Sequence, residues 1–244
     1  MKENEDDCSI AAVVLAAGSS SRMRGIKKEY HRLPSGFTVL ESSVKSFACI
    51  PSIKQIVIAV TKGEEKDARR ALNFELSDNA ESSKENICKP KIIFVNGGDA
   101  RRASVFNALC VLPEYNPRYV LIHDGARPYA SVSLIENIIT AVKKHEAVIP
   151  IIPLTDTPKE LEDWNSGNNE IFFIKRHLKR ANVGTAQTPQ AFKFPDILYA
   201  HEKAAAAGEE FTDDAEIWGR FCGKVAAIEG DPANRKITYR EDLF

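Results

Sequence analysis

A chain of 244 residues is long enough for one large α/β domain with a small excursion, and too short for two ordinary domains. Its 43% hydrophobic and 27% charged content is that of an ordinary soluble globular protein. A formal net charge of -1 gives no global field to draw in nucleic acid or an anionic membrane, so any anion-binding site has to be local.

The first seven residues are acidic and polar, without the basic start and apolar run of a signal peptide. The apolar run over 10–17 is far too short to span a bilayer, and the protein is expected in the cytoplasm. Five cysteines (Cys8, Cys49, Cys88, Cys110 and Cys222) lie far apart with no C-x-x-C pair, which fits reduced thiols better than a disulfide framework or zinc site.

Short apolar runs over 10–17, 53–60, 91–95, 119–122 and 147–152 have buried-strand composition. Between them, 39–48, 64–76, 103–112 and 134–145 space apolar residues by three and four and predict helices. Strands alternating with helices predict parallel βαβ units in a doubly wound α/β sheet. Ligands then sit beyond the carboxyl ends of the strands, so the loops after the first, third and fourth strands are the places to search. Two stretches interrupt the alternation. The polar segment 77–90 predicts an exposed loop. The segment 157–179 carries charge, Asn and Gly and a short aromatic run, Ile171-Phe-Phe-Ile174; it reads either as a projecting hairpin or as a plain surface loop.

The loop after the first strand, Leu15-Ala-Ala-Gly-Ser-Ser-Ser-Arg-Met23, lets backbone N–H groups approach a polyphosphate closely. Arg22, Lys27 and Lys28 add fixed positive charge there. The loop matches neither the Walker pattern nor G-x-G-x-x-G, because no Gly-Lys-Ser/Thr closes it and Ser20 stands where a second Gly belongs. After the third strand, Asn96-Gly-Gly-Asp-Ala-Arg-Arg-Ala-Ser104 opens a helix whose N–H donors suit an anion or a base edge; Asp99 reads equally as a helix N-cap. After the fourth strand, His123-Asp-Gly-Ala-Arg-Pro128 sets a carboxylate and a guanidinium three residues apart. That pair suits a metal–phosphate or hydroxyl contact, or is an Asp124–Arg127 ion pair that orders the loop. His123, closing a buried strand, reads as packing, and no Ser-His-Asp or Cys-His constellation has a local motif.

Taken together, these motifs resemble the 2-C-methyl-D-erythritol 4-phosphate cytidylyltransferase family of the non-mevalonate isoprenoid pathway. The resemblance runs from about Ile10 to Leu243. It rests on Leu15-Ala-Ala-Gly18 with Arg22-Met23, Lys28-Glu-Tyr30, Gly97-Gly-Asp99 with Arg101 and Ser104, and His123 to Pro128. Asp156-Thr157, Gln187-Thr-Pro-Gln-Ala-Phe192, Thr212-Asp213 and Asn234-Arg-Lys-Ile-Thr238 complete it. It implies a mostly parallel nucleotidyltransferase-type sheet, a single domain over 1–244, and a β-arm at about 156–180 that clasps a second subunit. It also implies a reaction of CTP with methylerythritol phosphate, requiring Mg²⁺ and releasing pyrophosphate. By resemblance, Arg22 and Lys28 stabilise the transition state, while Arg180 and Lys236 position the substrate phosphate. Ala16, Ala17 and Gly18 hold CTP, and Gly98, Asp99 and Ser104 read its base. Asp124, Arg127, Thr157 and Thr212 lie around the alditol phosphate, with Arg180 and Thr157 serving the neighbouring subunit's site; Asp124 is also the expected protein contact of Mg²⁺.

Three features depart from the family pattern. Ser19-Ser-Ser21 replaces a glycine-containing loop, Lys27-Lys28-Glu29 replaces Pro-Lys-Gln, and the chain stops at Phe244 where relatives continue into a last helix. Spacing to Tyr30 favours Lys28 over Lys27 as the lysine that faces the triphosphate. The stop at Phe244 leads us to expect either a truncated chain or part of a longer one, such as a fusion with the next pathway enzyme. Ribitol-5-phosphate cytidylyltransferase is the nearest alternative, and a non-catalytic nucleotide-binding module on the same fold is a more distant one.

Overall fold

A computed structural model describes residues 9–18, 20, 23, 27–72, 89–162 and 171–243. The first half alternates strand and helix as the apolar spacing requires: β1 Ile10–Ala16, α1 Val39–Ala48, β2 Ile53–Val60, α2 Glu65–Ala71, β3 Lys91–Asn96, α3 Arg101–Leu109, β4 Tyr119–Asp124, α4 Val132–His145 and β5 Ala147–Pro153. The second half adds short strands β6 Lys159–Leu161, β7 Ile174–His177, β8 Gly184–Ala186, β9 Gln190–Lys193 and β10 Ala226–Glu229, and helices α5 Asp196–Ala207 and α6 Asp214–Phe221.

Seven strands line up in the order β10-β5-β9-β4-β1-β2-β3, with β8 pairing onto β5. β1 runs parallel to both β2 and β4, and β2 to β3; β9 is antiparallel between β4 and β5. The sheet is therefore mostly parallel, with β4 at its centre and β1 beside it. Because successive side chains of a strand point to opposite faces, Ile10, Ala12, Val14 and Ala16 join one core with Leu40, Val44 and Phe47 of α1 and Ile135, Ile138 and Val142 of α4. Ala11 and Val13 join the other with Val105 and Leu109 of α3, Ile197 of α5 and Trp218 of α6. A strand covered on both faces has no polar side, which is why β1 reads as a continuous apolar run.

The expected helix bounds shift at their ends. α3 begins at Arg101 rather than 103 and stops at Leu109, and α4 begins at Val132 rather than 134, where the Ser131 hydroxyl caps it by accepting from Leu134 N–H at 3.3 Å. Residues 73–88, which include the end of the expected second helix, most of the expected loop and Cys88, lie outside the described residues, as does Cys8. Cys49, Cys110 and Cys222 are free thiols. The segment read as hairpin or loop is a hairpin: Lys159 pairs with His177 and Glu160 with Arg176. Its Asn/Gly turn falls within 163–170, outside the described residues. Among the described residues no helix is long and apolar enough to cross a membrane.

α1 is held at its start by a capping box, in which the Thr38 hydroxyl accepts from Glu41 N–H at 3.0 Å and the Glu41 carboxylate accepts from Thr38 N–H at 3.3 Å. The same hydroxyl donates to Ala71 O at 2.7 Å, tying α1 to α2 in a buried position. Replacing Thr38 by Ala removes the cap and the buried hydrogen bond to Ala71 O. We expect a loss of about 2 kcal/mol, read as a lower urea midpoint at unchanged m-value.

Candidate active site

The chain leaves β1 toward β2 and β3 on one side and returns to β4 on the other, so the carboxyl ends of β1 and β4 form a topological switch point. A cavity of about 640 Å³ lies there. Ala17 and Gly18 from the first loop, Gly98, Asp99 and Ser104 from the second, and Asp124 from the end of β4 all line it. Lys28 and Lys236 bring positive charge to the same walls.

Asp124 is the electrostatic centre. Its carboxylate meets Lys236 Nζ at 2.8 Å, Arg101 Nε at 3.5 Å and Arg127 Nε at 3.8 Å. Burial alone raises a carboxyl pKa, but the Arg101, Lys236 and Arg127 charges outweigh it and hold Asp124 well below the ordinary range. Arg101 in turn meets Asp214 Oδ2 at 2.8 Å, and the fully buried Asp214 meets His201 Nε2 at 3.2 Å. Burial opposes the Arg101 charge, yet Asp214 and Asp124 more than compensate and raise its pKa. Arg101 thereby ties the loop after β3 to α6.

Lys236 owes its place to a C-terminal strap with no regular secondary structure. Ile237 N–H donates to Ala126 O at 2.8 Å, and Ile237 packs in a small core with Met23, Leu33, Val39 and Leu243. Arg127 Nη1 donates to Asn234 O at 2.7 Å, Gln187 Nε2 donates to the same oxygen at 3.1 Å, and Asn234 Nδ2 donates to Thr188 O at 2.8 Å. Lys28 Nζ donates to Ile237 O at 3.1 Å, so the strap also meets the first loop's lysine.

Two glycines are required by close approach. A Cβ on Gly97 would collide with Ala17 Cβ, and one on Gly125 would come within 2.7 Å of Leu15 O. The Ser104 hydroxyl accepts from Gly98 N–H at 3.1 Å and lies 3.1 Å from Ala100 O, so it braces the second loop from within. Ala100, not Asp99, occupies the N-cap position of α3, which removes the capping explanation for Asp99. In the first loop Ser20 takes a left-handed φ of 49°, a conformation that costs about 1 kcal/mol for a residue with a Cβ. Its hydroxyl donates to Glu29 Oε2 at 3.2 Å, and Glu29 is buried in the cavity wall, where desolvation raises its pKa.

Five expected residues stand away from the cavity wall. Ala16 is fully buried in β1, and Arg127 acts as the brace just described. Thr212 is exposed, with its N–H and hydroxyl both donating to Glu216 Oε2 at 2.7 Å beside the start of α6. Thr157 and Arg180 are exposed at the base of the arm, where Arg180 Nη1 donates to Thr155 O at 2.6 Å. Arg22 lies outside the described residues. Sequence reasoning gave no role to Arg101, Glu29, Thr61 or Glu64, all of which line the cavity. Arg101 and Glu29 sit inside the quoted motifs, whereas nothing in the local sequence signals Thr61 or Glu64.

His123 is packing, as its place at a strand end suggested. It is fully buried, with Nε2 3.1 Å from Arg127 O and Nδ1 3.0 Å from Thr188 Oγ1. Arg127 O can only accept, so the neutral ring's N–H is on Nε2, and Nδ1 accepts from the Thr188 hydroxyl, which itself accepts from Asp124 N–H at 3.0 Å. That neutral tautomer agrees with a pKa lowered to about 4, chiefly by burial.

The profile of the 2-C-methyl-D-erythritol 4-phosphate cytidylyltransferase (IspD) family matches residues 10–244. The bifunctional enzyme IspD/IspF of Bartonella henselae is 35% identical over 239 residues, covering 96% of this chain and 55% of that protein. The chain thus spans about half the length of the first curated relatives it matches. The 2-C-methyl-D-erythritol 4-phosphate cytidylyltransferase of Bacillus mycoides is 31% identical, covering 95% of this chain and 93% of that protein. Among solved structures, 4-diphosphocytidyl-2C-methyl-D-erythritol synthase from Anaerococcus prevotii superposes with a TM-score of 0.80 at 30% identity, over 98% of this chain and 94% of that one.

The buried imidazole makes a pH prediction. An unfolded histidine titrates near 6.5 and His123 near 4, so between those values the unfolded chain binds a proton that the folded one refuses. Stability from this group is complete above about pH 6.5 and is lost as pH falls toward 4, by up to about 3 kcal/mol. Urea titrations across that range should show the decline in the parent protein and a shallower one in His123→Asn.

Proposed function

The chain belongs to the 2-C-methyl-D-erythritol 4-phosphate cytidylyltransferase family, and from that membership we propose that it joins CTP to 2-C-methyl-D-erythritol 4-phosphate. The products are 4-diphosphocytidyl-2-C-methyl-D-erythritol and pyrophosphate. The observation that carries this reading is the meeting of Lys236 and Arg101 at Asp124 in the crevice at the end of β1, with Lys28 on the wall of the same cavity.

An oxygen of the methylerythritol phosphate attacks the α-phosphorus of CTP. A new P–O bond forms, the bond from that phosphorus to the β-phosphate oxygen breaks, and pyrophosphate leaves with the electron pair. The attacking phosphate monoester is already largely ionised near neutral pH, so no strong base is needed. The demand is to hold two anions in line and to neutralise charge on the α-phosphate and leaving group. Lys28 supplies such charge from the cavity wall, and Arg22 is assigned beside it on family resemblance. Lys236, held by Asp124 and the strap, positions the acceptor phosphate. Gly98 and Asp99, on the loop braced by Ser104, face the base, and Ala17 and Gly18 hold the nucleotide, with Ala16 buried behind them. Arg127 acts by fixing the strap rather than by touching substrate.

Among the described residues no group of three or more His, Cys, Asp or Glu could cage a metal. Asp124, which lines the cavity with Asp99, Glu29 and Glu64, would be the protein contact of a Mg²⁺ held mainly by triphosphate oxygens and water. Bound there, Mg²⁺ supplies further neutralisation of triphosphate charge.

The arm supports assembly as a homodimer. Ile171 and Phe173 are 75% and 71% exposed, an apolar surface that calls for a partner. Arg180 and Thr157 at its base then complete the neighbouring subunit's site, which accounts for their distance from the cavity of their own chain. The cytoplasm is the compartment this reading implies.

Purified protein with Mg²⁺ and CTP should release pyrophosphate on addition of methylerythritol phosphate; release with ribitol phosphate instead overturns the substrate, and release with neither favours a binding module. Lys28→Ala should lower turnover by roughly 100-fold or more. Lys236→Ala should also weaken use of the alditol phosphate, seen as a raised KM for it. Mixing Lys28→Ala with Arg180→Ala subunits should restore activity, since each mixed dimer holds one intact site. No recovery on mixing would place both residues in one subunit's site.

A further inference from the structure

Lys27 and Lys28 both line the cavity, but the Lys27 ammonium is fully engaged within the protein. Its Nζ donates to Gly18 O at 2.9 Å and to Thr61 Oγ1 at 2.8 Å, and meets Glu64 Oε2 at 3.2 Å. An ammonium has three N–H donors. Three acceptors take all of them, so a phosphate oxygen could be bound only by giving one up.

The three acceptors come from three segments: the loop after β1, the residue that follows β2, and the residue that precedes α2. Glu64 is itself fixed, since Tyr30 Oη donates to its Oε2 at 3.2 Å and its backbone N–H donates to Thr61 O at 2.9 Å. Burial acts to raise the Glu64 carboxyl, but the Lys27 ammonium and Tyr30 hydroxyl outweigh it and keep it below its ordinary value. The Lys27 side chain is only 17% exposed, so the pair is less screened than a surface ion pair. Gly18 has no side chain to anchor the loop, and even an added Cβ would meet only Glu29 Oε1, at 4.0 Å. The Lys27 bond also engages a carbonyl oxygen whose negative partial charge would repel an incoming phosphate.

We propose that Lys27 is a positioning residue that clasps Gly18, where the chain leaves β1, to the end of β2 and the start of α2, fixing that backbone before nucleotide arrives. Its kinetic consequence rests on the cytidylyl-transfer reading above; its structural consequence does not.

Both are measured on Lys27→Met, which keeps the aliphatic stem and removes the donors. In the ligand-free protein, hydrogen exchange of the peptide spanning residues 15–30 should quicken by about tenfold, with peptides of β4 and α4 unchanged as a control for folding. Glu64→Gln, which keeps a hydrogen bond and loses the charge, should fall between. In the pyrophosphate assay Lys27→Met should raise KM for CTP by about tenfold more than it lowers kcat. Unchanged exchange in the loop would overturn the clasp. So would a kcat reduced by roughly 100-fold at unchanged KM, which would make Lys27 a catalytic cation. If the parent protein released no pyrophosphate while the exchange result held, the clasp would stand and the functional reading would fail.

Discussion

Three segments that are distant in sequence converge on one carboxylate. Arg101 comes from the helix after β3, Arg127 from the loop after β4 and Lys236 from the C-terminal strap, and each meets Asp124. Like charges brought this close repel one another, and the carboxylate between them makes the cluster tolerable in a partly buried crevice. Asp124 also fixes the backbone behind it, since its N–H donates to Thr188 Oγ1, which in turn holds the neutral His123 ring. The packing of β4 and the charge of the site therefore meet in adjacent residues.

In a protein of nearly zero net charge, that arrangement gathers Lys27, Lys28, Arg101 and Lys236 with the carboxylates of Glu29, Glu64, Asp99 and Asp124 around one pocket. The charges are local and come from loops at one end of the sheet. The strap has little regular structure, yet it is fixed through Asn234, Gln187, Ile237 and Ala126. Backbone carbonyls and N–H groups do most of that work, so its position depends on the loops it touches more than on its own side chains.

The central sheet was legible because β1, β2, β4 and β5 are covered on both faces, which leaves continuous apolar runs in the sequence. β9 was not read as a strand: Gln190–Lys193 has only Ala191 and Phe192 as apolar residues, and its pairing between β4 and β5 is set by partners far away in the chain. The second-half helices escaped for a similar reason, since α5 is rich in alanine and α6 is short. In the site, the glycine-rich loops and Asp124 were legible from motif and strand end alone. Arg101 was not, because an arginine opening a helix reads as a solvated charge until the buried Asp214 is seen opposite it. Spacing to Tyr30 favoured Lys28 over Lys27, and that spacing carries no sign of the contacts Lys27 makes with Gly18, Thr61 and Glu64. Ala16, Thr157, Arg180 and Thr212 entered through family resemblance, and no wall of this chain's own cavity includes them.

In the proposed reaction the chemistry asked of this site is positioning and neutralisation, with the substrate's own phosphate as nucleophile. His123 is buried and hydrogen-bonded on both ring nitrogens, and the Ser104 hydroxyl is committed to its own loop. Neither is set up to act as base or to form a covalent intermediate. A single in-line displacement then inverts the α-phosphorus, and two displacements through an enzyme intermediate retain its configuration. The stereochemical course of transfer from CTP carrying sulfur in one configuration at the α-phosphorus is the direct test. Inversion is the predicted result, and retention would contradict direct attack by the bound phosphate.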